Sequence, residues 1–226
     1  LLKNPQTAPV VGVDAHLPPV PPGSLTEPAL RRRFAEPPSW QPEYTGDDRP
    51  VAGRSISAAV LVPLVAREAG VTLLLTRRTD HLRDHAGQIS FPGGRVDETD
   101  ADAVATALRE AQEETGLPAS HIEVIGTLPA YTTVTGFVVT PVVAIVRPGF
   151  QLVLDTFEVA EAFEVPLGFL MNPANHRRHE VYTGEVRRRF LSMPWDGPGP
   201  DGVVRQHFIW GATAAMIRNL YRMLSA

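Results

Sequence analysis

No cysteine occurs in the 226 residues. That excludes disulfides, thiolate catalysis and Cys-ligated zinc, and it suits a reducing compartment, so a cytoplasmic location is expected. Positive charge is not in excess. Lys and Arg number 21 against 25 Asp and Glu, a formal net charge of −4 at pH 7, so no global basic field recruits nucleic acid. Long apolar runs are missing too. The longest, Ala58 to Ala66, is too short for a bilayer and contains Pro63. The first five residues lack a basic segment leading a long apolar core, so neither a membrane span nor a signal peptide is expected. There is no internal repeat and no Rossmann glycine fingerprint.

What remains is an ordinary globular composition, 43% hydrophobic and 20% charged, long enough for one domain with a real core plus an extension. Residues 1–50 hold half of the 22 prolines. They read as a Pro-rich N-terminal extension, mostly loop, with one short helix at 27–36 that docks through Leu30 and Phe34. Such an extension is expected to lie over the main domain, residues 51–226, or over a partner subunit.

Within 51–226, Ser57 to Ala66 reads as a buried strand, Arg67 to Gly70 as a hairpin turn and Val71 to Arg77 as the returning strand. Ile122 to Thr133 and Phe137 to Val146 read as strands. Glu180 to Leu191 reads as a hairpin turning at Thr183-Gly184, preceded by a solvated basic loop, His176 to His179. Gln206 to Trp210 is a further strand. Ala212 to Leu224 is a helix whose Ala215, Met216, Leu220 and Met223 form a core-facing stripe.

The chemistry concentrates in residues 93–117. A turn, Phe91-Pro92-Gly93-Gly94, leads into a helix that Asp100 or Asp102 can cap and that Gly116 and Pro118 stop. Glu110, Glu113 and Glu114 stand at i, i+3 and i+4 and project from one face, where like charges repel. The helix's one base, Arg109, projects about 100° round the axis from Glu110. A divalent cation would relieve the repulsion, and hard ions such as Mg²⁺ prefer carboxylate oxygens. A merely solvated acidic face is the alternative.

The segment Arg109-Glu110-Ala111-Gln112-Glu113-Glu114-Thr115-Gly116-Leu117 resembles the second half of the Nudix box, Arg-Glu-U-x-Glu-Glu-x-Gly-U with U apolar. By this resemblance Glu110, Glu113 and Glu114 are metal ligands for Mg²⁺ or Mn²⁺, and Arg109 orients them by a salt bridge. The front half departs from the pattern. The family has Gly, five residues, Glu, seven residues, Arg-Glu; here five residues separate Gly94 from Asp100 and eight separate Asp100 from Arg109. The departure leaves a capping role open to Asp100 and argues against a direct catalytic one.

A second stretch, Leu74 to Gly94, is similar to the motif of the coenzyme A pyrophosphatase subgroup. The match runs through Leu74, Leu75, Thr76, Arg78, Arg83, Gly87, Phe91, Pro92, Gly93 and Gly94, with Thr79 where Ser or Ala is usual. Arg77, Arg78, Arg83 and His85 place basic groups just ahead of the acidic helix, and Arg binds phosphate oxygens through paired hydrogen bonds. These, with Gly93 and Gly94, are the expected substrate-binding residues. Family analogy also draws a further glutamate from just before a Val-Pro strand. Glu158 and Glu161 are its candidates, as metal ligand or general base.

The resemblance implies a Nudix-type α/β/α sandwich with a mixed β-sheet. It implies a metal-dependent pyrophosphohydrolase acting on a small nucleotide, coenzyme A or a derivative, yielding 3′,5′-ADP and a 4′-phosphopantetheine species. Another nucleoside diphosphate linked to a moiety X, such as ADP-ribose or NADH, is the second substrate reading, and an inactive nucleotide-binding module the third. A homodimer follows from family habit. No nucleic acid or membrane partner is expected.

Overall fold

A computed structural model describes residues 4–47, 55–81, 86–183, 186–199 and 201–226. In chain order its elements are β1 (Val10–Val13), α1 (Glu27–Ala35), β2 (Ile56–Arg67), β3 (Gly70–Arg78), β4 (Ile89–Ser90), β5 (Gly93–Arg95) and α2 (Ala103–Thr115). Then come β6 (Ile122–Thr127), β7 (Tyr131–Thr132), β8 (Phe137–Val146), β9 (Val159–Pro166), α3 (Leu167–Leu170), β10 (Arg177–Thr183), β11 (Val186–Pro198), β12 (Val204–Trp210) and α4 (Gly211–Ser225).

The larger sheet runs β4-β3-β2-β8-β6, with β5 against β2, β7 against β8 and β9 against β3. Its long central pair, β2 and β8, is parallel and the rest is antiparallel, so the sheet is mixed. Both faces of that pair are covered, which is why β2 and β8 read as near-continuous apolar runs rather than alternating ones. Pro63 is tolerated in β2 because it sits between two neighbours. β5 pairs with β2 only as far as Val60, and β3 pairs with β2 only from Leu64 onwards. A residue without an N–H belongs in such a gap.

Helix α2 covers one face, where Ala107, Ala111 and Leu117 meet Ala59, Leu61, Val65, Leu74, Val142 and Ala144. Small residues at 107 and 111 let helix and sheet approach closely. On the opposite face Val62, Leu64, Leu73, Leu75 and Val143 join Ile217, Leu220 and Leu224 of α4. The sheet therefore lies between α2 and α4, the α/β/α order the sequence led us to expect.

A second antiparallel sheet, β1-β10-β11-β12, backs onto α4 through Leu191, Met193 and Ile209. Its edge strand comes from the Pro-rich segment, which also sends Val20, Leu25 and Leu30 into the core. The β10–β11 turn at 184–185 lies outside the described residues. Two sequence expectations need correcting. The strand read over 122–133 is two strands, interrupted around Pro129. The basic stretch read at 176–179 as a solvated loop is mostly strand, and its histidines are buried, His176 just ahead of β10 and His179 within it, while Arg177 stays exposed. The N-terminal segment covers it: the Asp14 N–H donates to the His176 carbonyl, and His179 Nδ1 lies 3.0 Å from the Ala8 carbonyl.

Candidate active site

Helix α2 begins at Asp102, whose Oδ1 accepts the Ala105 N–H at 2.8 Å, and ends at Gly116. Of the two capping candidates, Asp102 is the one used. Because Ala107, Ala111 and Glu114 fall at i, i+4 and i+7, Glu114 continues the buried stripe. The three glutamates therefore do not share one environment. The Glu114 side chain is 7% exposed, that of Glu110 19% and that of Glu113 61%.

Strand β5 brings backbone to these carboxylates. The Gly93 N–H donates to Glu114 Oε2 at 3.2 Å. Gly94 lies so close to Glu110 that a Cβ there would fall 2.5 Å from both carboxylate oxygens. The Gly-Gly turn is thus a cradle into which any larger residue would intrude. Burial pushes the Glu114 carboxyl up to about 8, the Gly93 N–H and Arg78 only partly opposing it, with Glu110 and Glu158 adding repulsion. Burial also raises Glu110, against the pull of Arg109.

Arg109 is the organising cation. Its Nη1 donates to Glu110 Oε1 and to Glu113 Oε2, both at 2.9 Å. A flexible side chain thus reaches both neighbours, although its Cα–Cβ vector points away from Glu110. Its far side is gripped by Asp100, Nε to Oδ1 at 3.0 Å and Nη2 to Oδ2 at 2.9 Å. Asp100 Oδ2 also takes the Asp97 N–H and the Thr106 hydroxyl, each at 2.9 Å. These donors, Arg109 first, hold the Asp100 carboxyl well below the usual carboxylate range.

Glu158 and Glu161 part company. β9 pairs antiparallel with β3, Arg77 opposite Glu161, but a bulge then sets Arg78 opposite Val159. Glu161 shares the sheet face of Phe163 and Val165, away from α2. It is buried there, Oε1 2.9 Å from His207 Nε2 and Oε2 accepting Arg77 Nε at 3.2 Å. Glu161 therefore does not join the acidic helix, and Arg77 leaves with it because consecutive strand residues point to opposite faces. Glu158 stays, half-exposed, just ahead of β9. The Thr79 N–H donates to its carbonyl at 2.9 Å, and the Thr79 hydroxyl donates to the Phe157 carbonyl at 2.8 Å. Upstream, the Asp155 N–H donates to the Glu114 carbonyl, tying this segment to the end of α2. Arg78 completes the group, Nη1 3.6 Å from Glu114 Oε1 and Nη2 3.7 Å from Glu158 Oε2. Arg83 and His85 lie outside the described residues.

Among the described residues no three His, Asp or Glu side chains close around a single point where an ion would sit. The donor chemistry nevertheless fits a hard divalent cation. Only oxygens are offered, Glu114 is an acid raised by burial and by like-charged neighbours, and Arg109 bonds one oxygen of Glu110 and one of Glu113. Glu110, Glu113 and Glu114 could hold the ion, with Glu158 beside them. Sequence reasoning missed the bonds of Thr79 to the 157–158 backbone, the bulge at 159–161 and the grip of Asp100 on Arg109. Of these, only the last had a local signal, the displaced acid itself.

The profile of the NUDIX domain matches residues 56–182. The uncharacterized Nudix hydrolase NudL of Escherichia coli K12 is 47% identical over 165 residues, 72% of this chain and 80% of that protein. Among solved structures, a C. elegans Ap4A hydrolase binary complex aligns over 53% of this chain and 85% of its own, with 21% identity and a TM-score of 0.43. RenU, a Nudix hydrolase from M. smegmatis, aligns over 54% and 80%, with 23% identity and a TM-score of 0.44.

Proposed function

This chain belongs to the Nudix hydrolase family, and from that premise we propose that it is a metal-dependent pyrophosphohydrolase whose substrate is coenzyme A or a derivative of it. The products are 3′,5′-ADP and a 4′-phosphopantetheine species. The observation that carries the hydrolytic part is the convergence of Glu110, Glu114 and Glu158 beside Arg78, an oxygen-only acidic centre with a guanidinium at its edge. The choice of coenzyme A rests on the stretch Leu74 to Gly94 described above.

Glu110, Glu113 and Glu114 would hold Mg²⁺ or Mn²⁺, which when bound neutralises diphosphate charge and acidifies a water. Arg109 keeps Glu110 and Glu113 in place. Arg78 presents donors to phosphate, and Arg83 and His85 are proposed to do the same. Gly93 and Gly94 keep the approach to Glu110 and Glu114 clear. Glu158 is the acceptor for the proton of the attacking water, because it is the acid of the group that is neither deeply buried nor bonded to Arg109. The same reading has the enzyme working in the cytoplasm as a homodimer, with residues 51–226 as the catalytic domain. Among the described residues no helix is long and apolar enough to cross a membrane.

The test is direct. Purified protein, Mn²⁺ and coenzyme A should yield 3′,5′-ADP, and Glu113→Gln and Glu114→Gln should each lower turnover by orders of magnitude. Turnover indifferent to both substitutions ends the assignment. A panel with ADP-ribose and NADH, ranked by kcat/KM, decides the substrate.

A further inference from the structure

Among the described residues two arginines touch the acidic centre, and they touch it differently. Arg109 donates hydrogen bonds of 2.9 to 3.0 Å to three carboxylates and is held in place by Asp100. Arg78 stands 3.6 Å from Glu114 and 3.7 Å from Glu158, inside ion-pair range but beyond hydrogen-bond range of either. Charge rather than directed bonding sets its place. Its two acids come from different elements, one from α2 and one from the segment ahead of β9, so the guanidinium lies between them. It is 26% exposed, and Glu114 behind it is buried. A cation between two converging acids stands where positive charge is required and where a divalent ion on Glu114 would compete with it.

We propose that Arg78 is the exchangeable counter-cation of this centre: with no divalent ion bound it occupies the cationic position between Glu114 and Glu158, and when the ion binds it leaves them and donates to a phosphate oxygen of the substrate. Metal and diphosphate are then coupled through one side chain. The metal frees the phosphate-binding group, and by linkage the diphosphate favours the metal equally. A Lys at 78 keeps the charge but cannot fork between two acids or bind a phosphate through two N–H groups. The inference rests on the assignment of the divalent ion to Glu110 and Glu114.

Mn²⁺ binding to wild type, Arg78→Gln and Arg78→Lys, followed by the electron paramagnetic resonance of free Mn²⁺ without nucleotide, tests it. Arg78→Gln should bind Mn²⁺ more tightly, by about tenfold, a typical coupling between two ligands. Arg78→Lys should stay near wild type. With methylenediphosphonate as a non-hydrolysable diphosphate, Mn²⁺ should tighten diphosphonate binding in wild type and do so clearly less in Arg78→Gln. If Arg78→Gln binds Mn²⁺ equally or more weakly, Arg78 is a structural ion pair and the exchange is wrong. If Arg78→Gln does not fold, Arg78→Lys alone decides: diphosphonate coupling as strong as in wild type overturns the proposal. Wild type that binds no Mn²⁺ overturns the metal assignment itself, and the exchange with it.

Discussion

Asp100 holds Arg109 with both carboxylate oxygens, Oδ1 to Nε at 3.0 Å and Oδ2 to Nη2 at 2.9 Å. The acid stands one residue further from the arginine than the family spacing and is one methylene shorter than glutamate, yet its side chain is 5% exposed and engages the guanidinium edge-on. The unusual spacing therefore gives no support to an inactive module. Asp100 acts through Arg109, as a positioning residue. Asp100→Ala should lower kcat by about ten- to hundredfold, as loss of groups that orient metal ligands does, and should weaken Mn²⁺ binding in parallel. Unchanged Mn²⁺ affinity would show that Arg109 needs no anchor.

Glu114 makes the metal-free protein sensitive to pH. Its carboxyl is raised from 4.5 to about 8, so the native state keeps a proton that the unfolded chain has lost. Stability from this group is complete below pH 4.5 and falls as pH rises towards 8. His176 works in the opposite sense but lower. Burial pushes it down from 6.5 to about 4, so its contribution changes only below about pH 6.5. The clean window is pH 6.5 to 8. In EDTA the melting temperature of wild type should fall across it, and that of Glu114→Gln should fall less. Mg²⁺ should restore most of the loss at pH 8, because the ion stabilises the ionised acid. Equal slopes for both proteins would rule out a native proton on Glu114.

What could be read from the sequence was local in the chain. The helix over 103–115, its stop at Gly116 and the identity of its acids need only a 3.6-residue period and neighbours within a turn. The graded exposure of Glu110, Glu113 and Glu114 needed one more fact, that Ala107 and Ala111 face the sheet. Glu158 and Glu161 could not be separated, because the face a strand residue takes depends on register. Here a single extra residue in β9 opposite Arg77 and Arg78 sets it. His176 and His179 looked solvated because the segment that buries them, around Ala8 to Asp14, lies more than 160 residues away in sequence.

That separation predicts opposite phenotypes for two glutamates three residues apart. Glu158→Gln should retain the melting temperature of wild type, since the side chain is 43% exposed, and lose about a hundredfold or more in kcat. Glu161→Gln should do the reverse. It removes the acceptor shared by His207 and Arg77, and because Arg77 is 32% exposed and stays hydrated the cost is about 1–3 kcal/mol, read as a lower midpoint in urea. The folded fraction should turn over at close to the wild-type rate. A catalytic collapse at Glu161 with stability intact would place the proton acceptor on the wrong face of the sheet.

The Pro-rich segment supplies two acids to a cation buried in the core. Arg218 on α4 is fully buried, and its Nε donates to Glu43 Oε2 at 2.7 Å while Nη1 lies 3.2 Å from Asp14 Oδ2. Nη1 also donates to His176 Nδ1 at 2.9 Å, and His176 Nε2 donates to the Leu170 carbonyl at 2.7 Å. That pairing requires a neutral imidazole with its proton on Nε2, which agrees with the lowered affinity of His176 for a second proton. Both acids come from the N-terminal 47 residues, so the segment neutralises a cation buried in the main body. Glu43→Ala leaves Arg218 with Asp14 alone and also deprives Arg222, whose Nε donates to the same Glu43 oxygen at 2.7 Å. The expected cost is about 3–5 kcal/mol, measured by urea denaturation at pH 7, where His176 stays neutral. Arg218→Met combined with Glu43→Gln removes the buried cation and one of its two acids, leaves Asp14 paired with Arg178, and should recover much of that loss. If Glu43→Ala melts like wild type, Arg218 does not depend on the acid that the segment brings to it.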